Sequence, residues 1–182
     1  NPKLAIVDGA QGGQTAAIIS NPNANFWTVI DQRLTAAGVT RQQVQAAWVK
    51  EANASPTEGF PRHAQMLDSQ FVLISRILKS RYPNIMLAYW SSRTYGGYAT
   101  TNLNPEPYAY ESGFAVKWTI TRQINGDTAL VYSGSNARSP WLGWGAYLWA
   151  DGIVPRSDGL IWICDDFVTS DRTHPSASGR LK

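Results

Sequence analysis

Short apolar runs alternate with longer amphipathic segments along this chain of 182 residues, and this alternation constrains the fold more than any other feature. The apolar runs predict buried strands over 3–10, 43–52, 84–92 and 158–166. The amphipathic segments have apolar residues at helical spacing and predict helices over 24–39, 61–83 and about 107–125. Alternating strands and helices form parallel sheets with right-handed crossovers, so we expect an α/β fold with helices on both faces.

The composition favours one globular domain. No internal repeat, low-complexity tract or linker divides residues 1–182, so we expect a single domain. The 16 Lys and Arg residues are scattered and the net charge is only +3, so we expect no nucleic-acid partner. No apolar stretch approaches the roughly 18 residues that a membrane span needs. Eight Trp and eight Tyr are many for this length, and such residues line both cores and sugar-binding clefts.

Two reactive side chains have structural interpretations. The single cysteine, Cys164, lies in the apolar run GLIWICDD, and we expect it to be a small buried hydrophobe. His63 falls in the first turn of the 61–83 helix, where we expect it to be structural or exposed. Neither residue is therefore a candidate for catalysis.

Polar residues follow each of the predicted strands. DGAQGGQT comes after the first, KEANASP after the second and SSRTYGG after the third, while SDRTHPS lies a few residues beyond the fourth. Ligands of open parallel sheets bind at the carboxyl ends of the strands. The candidate site is therefore expected at this edge of the sheet.

The sequence DRTHP places Asp171 three residues before His174, one of only two histidines. In such a turn the carboxylate, or a neighbouring carbonyl, can hold one ring nitrogen while the other faces a cleft. This arrangement is typical of an orienting acid with a general base. The alternative is a solvent-exposed loop with an incidental histidine.

The glycines Gly12 and Gly13 and the amide of Asn53 are candidate donors to a negative oxygen. Paired glycines after a strand let backbone N–H groups approach an anion closely, and an Asn amide serves the same purpose in acyl transfer. A phosphate loop is excluded because neither G-x-x-x-x-G-K-[ST] nor G-x-G-x-x-G occurs here. The alternatives are an ordinary tight turn at the glycines and a turn cap at Asn53.

Four residues at the same strand ends are candidate substrate-binding residues: Gly12, Glu51, Arg93 and Tyr95. An arginine just beyond a strand can bind a substrate carboxylate or hydroxyl groups, although such a residue more often holds a loop through a local carboxylate. A metal site made by Glu51, Asp171 and His174 would lack a tight cluster of ligands, so we expect no metal and no cofactor.

Together VDGAQGGQTA, VKEAN and DRTHP resemble the SGNH (GDSL-type) hydrolase family of esterases and acetylesterases. The resemblance implies a three-layer, flavodoxin-like parallel sheet and a small ester as substrate, with a carbohydrate ester as one candidate. It implies that Gly13 and Asn53 are oxyanion donors, that Asp171 is the orienting acid and that His174 is the general base. The alternative is a non-catalytic protein that binds a glycan or a partner on the same scaffold.

The sequence departs from the family in two places. The usual Gly-x-Asn-Asp of the third block is absent, and the text is closer to a Gln-Gly-Glu variant, so Lys50 or Glu51 shares that role. The first block, a central strand followed by the nucleophilic serine, is missing, and the chain looks truncated at its amino terminus. We therefore expect a preceding segment or a second chain to complete the sheet and supply the serine. Family habit also weakly favours a secreted or envelope location. The internal serines considered as replacements are Ser55, Ser91, Ser133 and Ser135.

Overall fold

The computed structural model describes residues 4–182, which form a three-stranded parallel sheet packed against helices. The strands, in spatial order, are Ala46–Val49 (β1), Leu87–Trp90 (β2) and Trp141–Trp144 (β3). The α-helices are Ala16–Ile19 (α1), Asn25–Ala36 (α2), Arg62–Arg81 (α3) and Tyr108–Ile124 (α4). The predicted α/β class with a parallel sheet is confirmed, and the layout fits a flavodoxin-like arrangement.

The strands predicted over 43–52 and 84–92 exist as β1 and β2, and the three predicted helices exist as α2, α3 and α4. Each element is shorter than its sequence pattern. In α3 the predicted apolar face is largely buried, with Phe71, Ile74 and Leu78 in the core, but Met66 is exposed. Helical spacing thus located the element correctly and misassigned one residue near its start.

The strand predicted over 3–10 is wrong for the residues that the structure describes, and residue 3 lies outside them. Residues 4–10 form no strand, and Leu4 and Ile6 are both 87% exposed. The segment is held by side chains instead, because Arg33 donates hydrogen bonds to the carbonyls of Asp8 and Ala10. An apolar run becomes a strand only where a neighbouring strand accepts its backbone, and here none does.

The strand predicted over 158–166 is also wrong. This stretch contains the 3₁₀ turn Cys164–Asp166 and pairs with no strand. A single β-bridge, between Phe167 and Pro175, lies just beyond it. The apolar residues Trp162 and Phe167 pack with Ala150 in a small cluster outside the sheet. Cys164, expected to be buried, is exposed.

The third strand, β3, was not predicted because Trp-Leu-Gly-Trp lies in a region rich in Gly and aromatic residues. The buried side chain of Gln123 in α4 secures this strand. Its amide donates to the carbonyls of Leu130 and Pro140 and accepts the N–H of Leu142. A side-chain bond across 19 residues leaves no local sequence signal.

One face of the sheet carries the core. Ala88, Trp90 and Leu142 pack there with buried residues of all four helices. Both crossovers run in the same direction across the sheet, and the right-handed rule then puts α3 and α4 on the same face. This packing accounts for the confirmed helices.

The opposite face is not covered by the residues 4–182, so the expected helices on both faces are not found there. It carries exposed aromatic side chains, and Trp48 is 60% exposed. Tyr89 lies beside Trp48 in the ladder, and the ring of Trp141 lies over Gly143. No helix of the described chain has both the length and the apolar character that crossing a membrane would require.

His63 is structural. It is only 3% exposed, and its Nδ1 lies 3.0 Å from Oε2 of Glu111, which is also buried. The pair joins the first turns of α3 and α4. Of the two predicted alternatives, structural or exposed, the structural one is therefore correct for His63.

We expect Gly179→Ala to destabilise the protein by about 1–3 kcal/mol, because a methyl group there would overlap the backbone carbonyl of Asp166. The carbonyl cannot move without disturbing the turn that precedes Asp171. Gly59→Ala is the matched control, since a Cβ at residue 59 would meet no atom within 4 Å. Urea denaturation measures both variants, and equal stabilities would contradict the packing described.

Candidate functional site

Asp171 and His174 form a hydrogen-bonded pair. Oδ2 of Asp171 lies 2.7 Å from Nδ1 of His174, and Oδ1 accepts the backbone N–H groups of Thr173 and His174 at 2.7 and 2.9 Å. The His174 side chain is 62% exposed, whereas that of Asp171 is only 16% exposed. Within residues 4–182 the Nε2 atom of His174 has no hydrogen-bonding partner, so it is open to a reacting group.

The surroundings of Asp171 keep it charged. Burial raises its pKa, but hydrogen bonds from the backbone and ring of His174 and from the Thr173 N–H outweigh this effect and lower the pKa below its usual range. An ionised carboxylate accepts the Nδ1–H of the ring, which leaves Nε2 as the basic nitrogen. The turn thus fixes both the orientation and the tautomer of His174.

Backbone hydrogen bonds hold the turn on two sides. The N–H of Val168 donates to the carbonyl of His174 at 2.9 Å, next to the Phe167–Pro175 bridge. The N–H of Thr100 donates to the carbonyl of Asp171 at 3.0 Å. His174 therefore lies on a turn that backbone hydrogen bonds hold to two other segments of the chain.

A chain of hydrogen bonds connects this turn to the end of β1. Thr100, which binds Asp171, is two residues from Asn102, whose carbonyl accepts the N–H of Ser55 at 2.6 Å. Ser55 lies on the loop that follows β1 and has a positive φ of 49°. Hydrogen bonds and the short segment 100–102 thus connect DRTHP to VKEANAS, the loop that follows β1, although the strand that the sequence predicted just before DRTHP does not form.

The glycine loop joins the same group. The N–H of Ala16, at the start of α1, donates to the carbonyl of Ala52 at 3.0 Å. Gly13 has a φ of 74°, which favours glycine, and no atom lies within 4 Å of a Cβ on Gly12 or Gly13. Neither glycine N–H makes a hydrogen bond within residues 4–182, so both donors are free for a ligand oxygen.

Asn53 is partly engaged by the protein. Its Oδ1 accepts the N–H of Ala17 at 3.1 Å, and its Nδ2 donates to Oε1 of Gln70 at 2.8 Å. An amide nitrogen carries two hydrogens, so one donor remains. Asn53 therefore caps α1, a role that the sequence did not indicate, and its part in an oxyanion site stays a prediction.

Three ionisable groups meet beyond β1 and β2. Burial raises the pKa of Glu51 to about 7, although Arg93, the Ala52 N–H and Lys50 lower it. Burial and repulsion from Arg93 lower the pKa of Lys50 to about 8. Burial also lowers the pKa of Arg93 itself. Groups with pKa values displaced toward neutrality by burial are typical of functional sites.

Tyr95 belongs to an aromatic cluster. Its ring centre lies 5.2 Å from that of Tyr98 and 6.4 Å from that of Trp149. Tyr98 in turn contacts Phe167, which pairs with Pro175 next to His174. Burial raises the pKa of Tyr95. The aromatic region therefore reaches the neighbourhood of the histidine, and the role of Tyr95 in binding substrate stays a prediction.

The internal serines differ in their surroundings. Ser91 is buried and accepts the indole N–H of Trp48 at 2.8 Å. Ser133 and Ser135 precede β3 and so lie toward the amino edge of the sheet, opposite the site. Of these four serines, Ser55 is the one that is exposed and lies on the loop after β1. None of the hydroxyls in residues 4–182 is hydrogen-bonded to His174.

A separate cleft of about 470 Å³ lies between α2 and the end of α3. Asp31 lies in this cleft and pairs with both Arg41 and Arg81, so each of these arginines already has a carboxylate partner. It offers no acid–base pair comparable to Asp171 and His174, and we do not assign the chemistry to it. In the described part of the chain, no three His, Cys, Asp or Glu side chains are grouped closely enough to hold a metal ion.

Comparison of the chain with known protein families, curated proteins and solved structures finds no match.

We expect the native protein to lose stability as the pH rises from about 5 to about 7. We expect the Glu51→Gln substitution to abolish this loss. The folded-state pKa of Glu51, about 7, exceeds its ordinary value of 4.5, so the unfolded chain releases its proton first as the pH rises. The free energy of unfolding then falls across that window, by roughly 3 kcal/mol if the whole shift is realised.

Urea denaturation of the native protein and of Glu51→Gln at about pH 5 and about pH 7.5 measures this difference. The exposed Glu58 on the following loop provides the control variant Glu58→Gln. Parallel pH profiles for the native protein and Glu51→Gln would contradict the burial of an ionising Glu51.

Proposed function

We propose that this chain carries the acid–base pair and oxyanion donors of a serine esterase resembling the SGNH (GDSL-type) hydrolases. The observation that carries the proposal is the Asp171–His174 pair, with 2.7 Å between Oδ2 and Nδ1. The open Nε2 of His174 and the free N–H groups of the glycine loop support it. All of them belong to segments that meet at the carboxyl edge of the sheet.

In the proposed reaction a serine hydroxyl attacks the ester carbonyl carbon and gives its proton to Nε2 of His174. Asp171 stabilises the imidazolium that results. The Gly13 N–H and the remaining Nδ2 hydrogen of Asn53 bind the oxyanion, and one such donor typically contributes about 3 kcal/mol. His174 then protonates the leaving alcohol as the bond from the carbonyl carbon to the alkoxy oxygen breaks. Water, deprotonated by His174, releases the acid and restores the serine.

The serine in this proposal comes from a strand that pairs with the outer edge of β1. In a parallel ladder alternate residues bind each neighbour, so Ala46 and Trp48 direct backbone groups away from β2. A parallel strand at that edge would end beside the glycine loop and β1, where Nε2 needs its partner. The strand belongs either to a further segment of the same protein or to a second chain.

The proposed substrate is a small ester, with an acylated carbohydrate as the first candidate. Exposed aromatic rings near the site support this choice, because such rings stack on sugars. Tyr110, whose ring centre is 4.6 Å from that of Trp149, connects the surface of α4 to the cluster around Tyr95.

The second candidate function is non-catalytic binding of a glycan or a protein partner on the same scaffold. The observation that favours it is the lack of a hydroxyl bound to His174 within residues 4–182. Covalent labelling separates the two functions, because only an esterase has an activated serine.

We expect a fluorophosphonate probe to label one serine of the native protein, and we expect His174→Ala to abolish that labelling, because the probe reacts with a serine that a base has activated. Peptide mapping by mass spectrometry identifies the site. A labelled serine outside residues 1–182 supports the proposal. Labelling of Ser55 would retain the hydrolase and overturn the proposed origin of the nucleophile, and no labelling would overturn the esterase itself.

We expect Asp171→Asn to lower kcat by about 10³–10⁴-fold with little change in KM, because the ring would lose its favoured tautomer. Hydrolysis of 4-nitrophenyl acetate is the measurement. Asp165→Asn is the matched control, since Asp165 is close in sequence and its side chain is 89% exposed. Equal losses in the two variants would contradict an orienting role for Asp171.

A further inference from the structure

Two cations lie side by side at the carboxyl edge of the sheet. Val49 and Trp90 are paired in the parallel ladder, so Lys50 and Arg93 both follow the adjoining ends of β1 and β2. Each is half-buried, and Arg93 lies close enough to Lys50 to lower the pKa of its ammonium group. Glu51 lies in the same group.

The charged heads of these cations have no protein partner. Within residues 4–182 neither the guanidinium of Arg93 nor the ammonium of Lys50 makes a hydrogen bond or an ion pair, and Glu51 lies beyond contact distance of both. Every other half-buried arginine of the described chain is hydrogen-bonded to a carbonyl or a carboxylate: Arg33, Arg81, Arg122, Arg156 and Arg172. Arg93 is thus an exception in its own structure.

The structural alternative for Arg93, a loop held through a local carboxylate, does not fit these contacts. The loop is held by the backbone, because the N–H of Arg93 donates to Oγ of Ser112 at 2.9 Å. The guanidinium itself does not contribute. A partly buried guanidinium whose N–H donors have no protein acceptor is available to a ligand with acceptor oxygens.

The charges and shapes of the group select the ligand. With Glu51 ionised and Lys50 protonated, the three groups carry a single positive charge, which matches a monoanion better than a phosphate dianion. The planar fork of an arginine binds both oxygens of a carboxylate at once, and a lysine adds a third contact.

We propose that Arg93 and Lys50 bind a carboxylate of the substrate, so that the preferred ester is an ester of an acidic molecule such as an acylated uronic acid. The inference rests on the proposed function and specifies its substrate class. When ionised, Glu51 limits the net charge of the group, which disfavours more highly charged ligands.

The decisive comparison is between acetyl esters of glucuronic acid and of glucose, which differ by a carboxylate in place of a hydroxymethyl group. We expect kcat/KM to be at least about 10-fold higher for the acidic ester in the native protein, because a charge-assisted hydrogen bond typically contributes that much or more. The ratio should fall to near unity in Arg93→Gln. It should be intermediate in Arg93→Lys, which keeps the charge and loses the fork. Arg138→Gln, at an exposed arginine before β3, is the control and should keep the native ratio.

A binding measurement separates this inference from the esterase itself. Titration calorimetry with glucuronate and with glucose should show binding of glucuronate alone, weakened about 10-fold or more in Arg93→Gln. Binding of glucuronate without any hydrolysis would leave the carboxylate site standing and overturn the esterase. Hydrolysis with equal kcat/KM for both esters, or equal binding of both sugars, would overturn the carboxylate site. Circular dichroism of each variant identifies one that has not folded, and Lys50→Met then replaces Arg93→Gln in the same comparison.

Discussion

The parallel pairing of β2 with β1 on one side and β3 on the other is the constraint on which the rest of this structure depends. It aligns the carboxyl ends of the strands, and the loops that leave β1 and β2 must therefore share one edge. The core beneath the sheet, with Trp90 and Leu142 at its centre, holds that alignment in place. Without it, the loops that follow β1 and β2 would not be held next to each other.

The candidate site is built from backbone contacts as much as from reactive side chains. Asp171 accepts two backbone N–H groups, the Thr100 N–H donates to the same turn, and Asn53 accepts the N–H of Ala17 in α1. Arg93 behaves differently, because its backbone is anchored and its head is not. The fold therefore depends on the main chain of Arg93 and not on its guanidinium.

The sequence predicted the elements whose signal is local. Helical spacing identified α2, α3 and α4, and the Asp-x-x-His spacing made Asp171 one candidate partner for the ring of His174, which the structure shows it to be. The sequence failed where distant contacts decide, as at β3, which depends on Gln123, and at 4–10, where an apolar run has no strand to pair with. The association of Lys50 with Arg93 also required the register of two strands, which a sequence alone does not contain.

The bare face of the sheet has a consequence for how the polypeptide behaves in solution. Proteins usually protect an open strand edge with a charged residue or a proline, and the edge strand Ala-Ala-Trp-Val has neither. The strand itself carries the exposed ring of Trp48, and the exposed rings of Tyr89 and Trp141 lie on the neighbouring strands. Any form of the protein that leaves this strand unpaired will tend to self-associate through it.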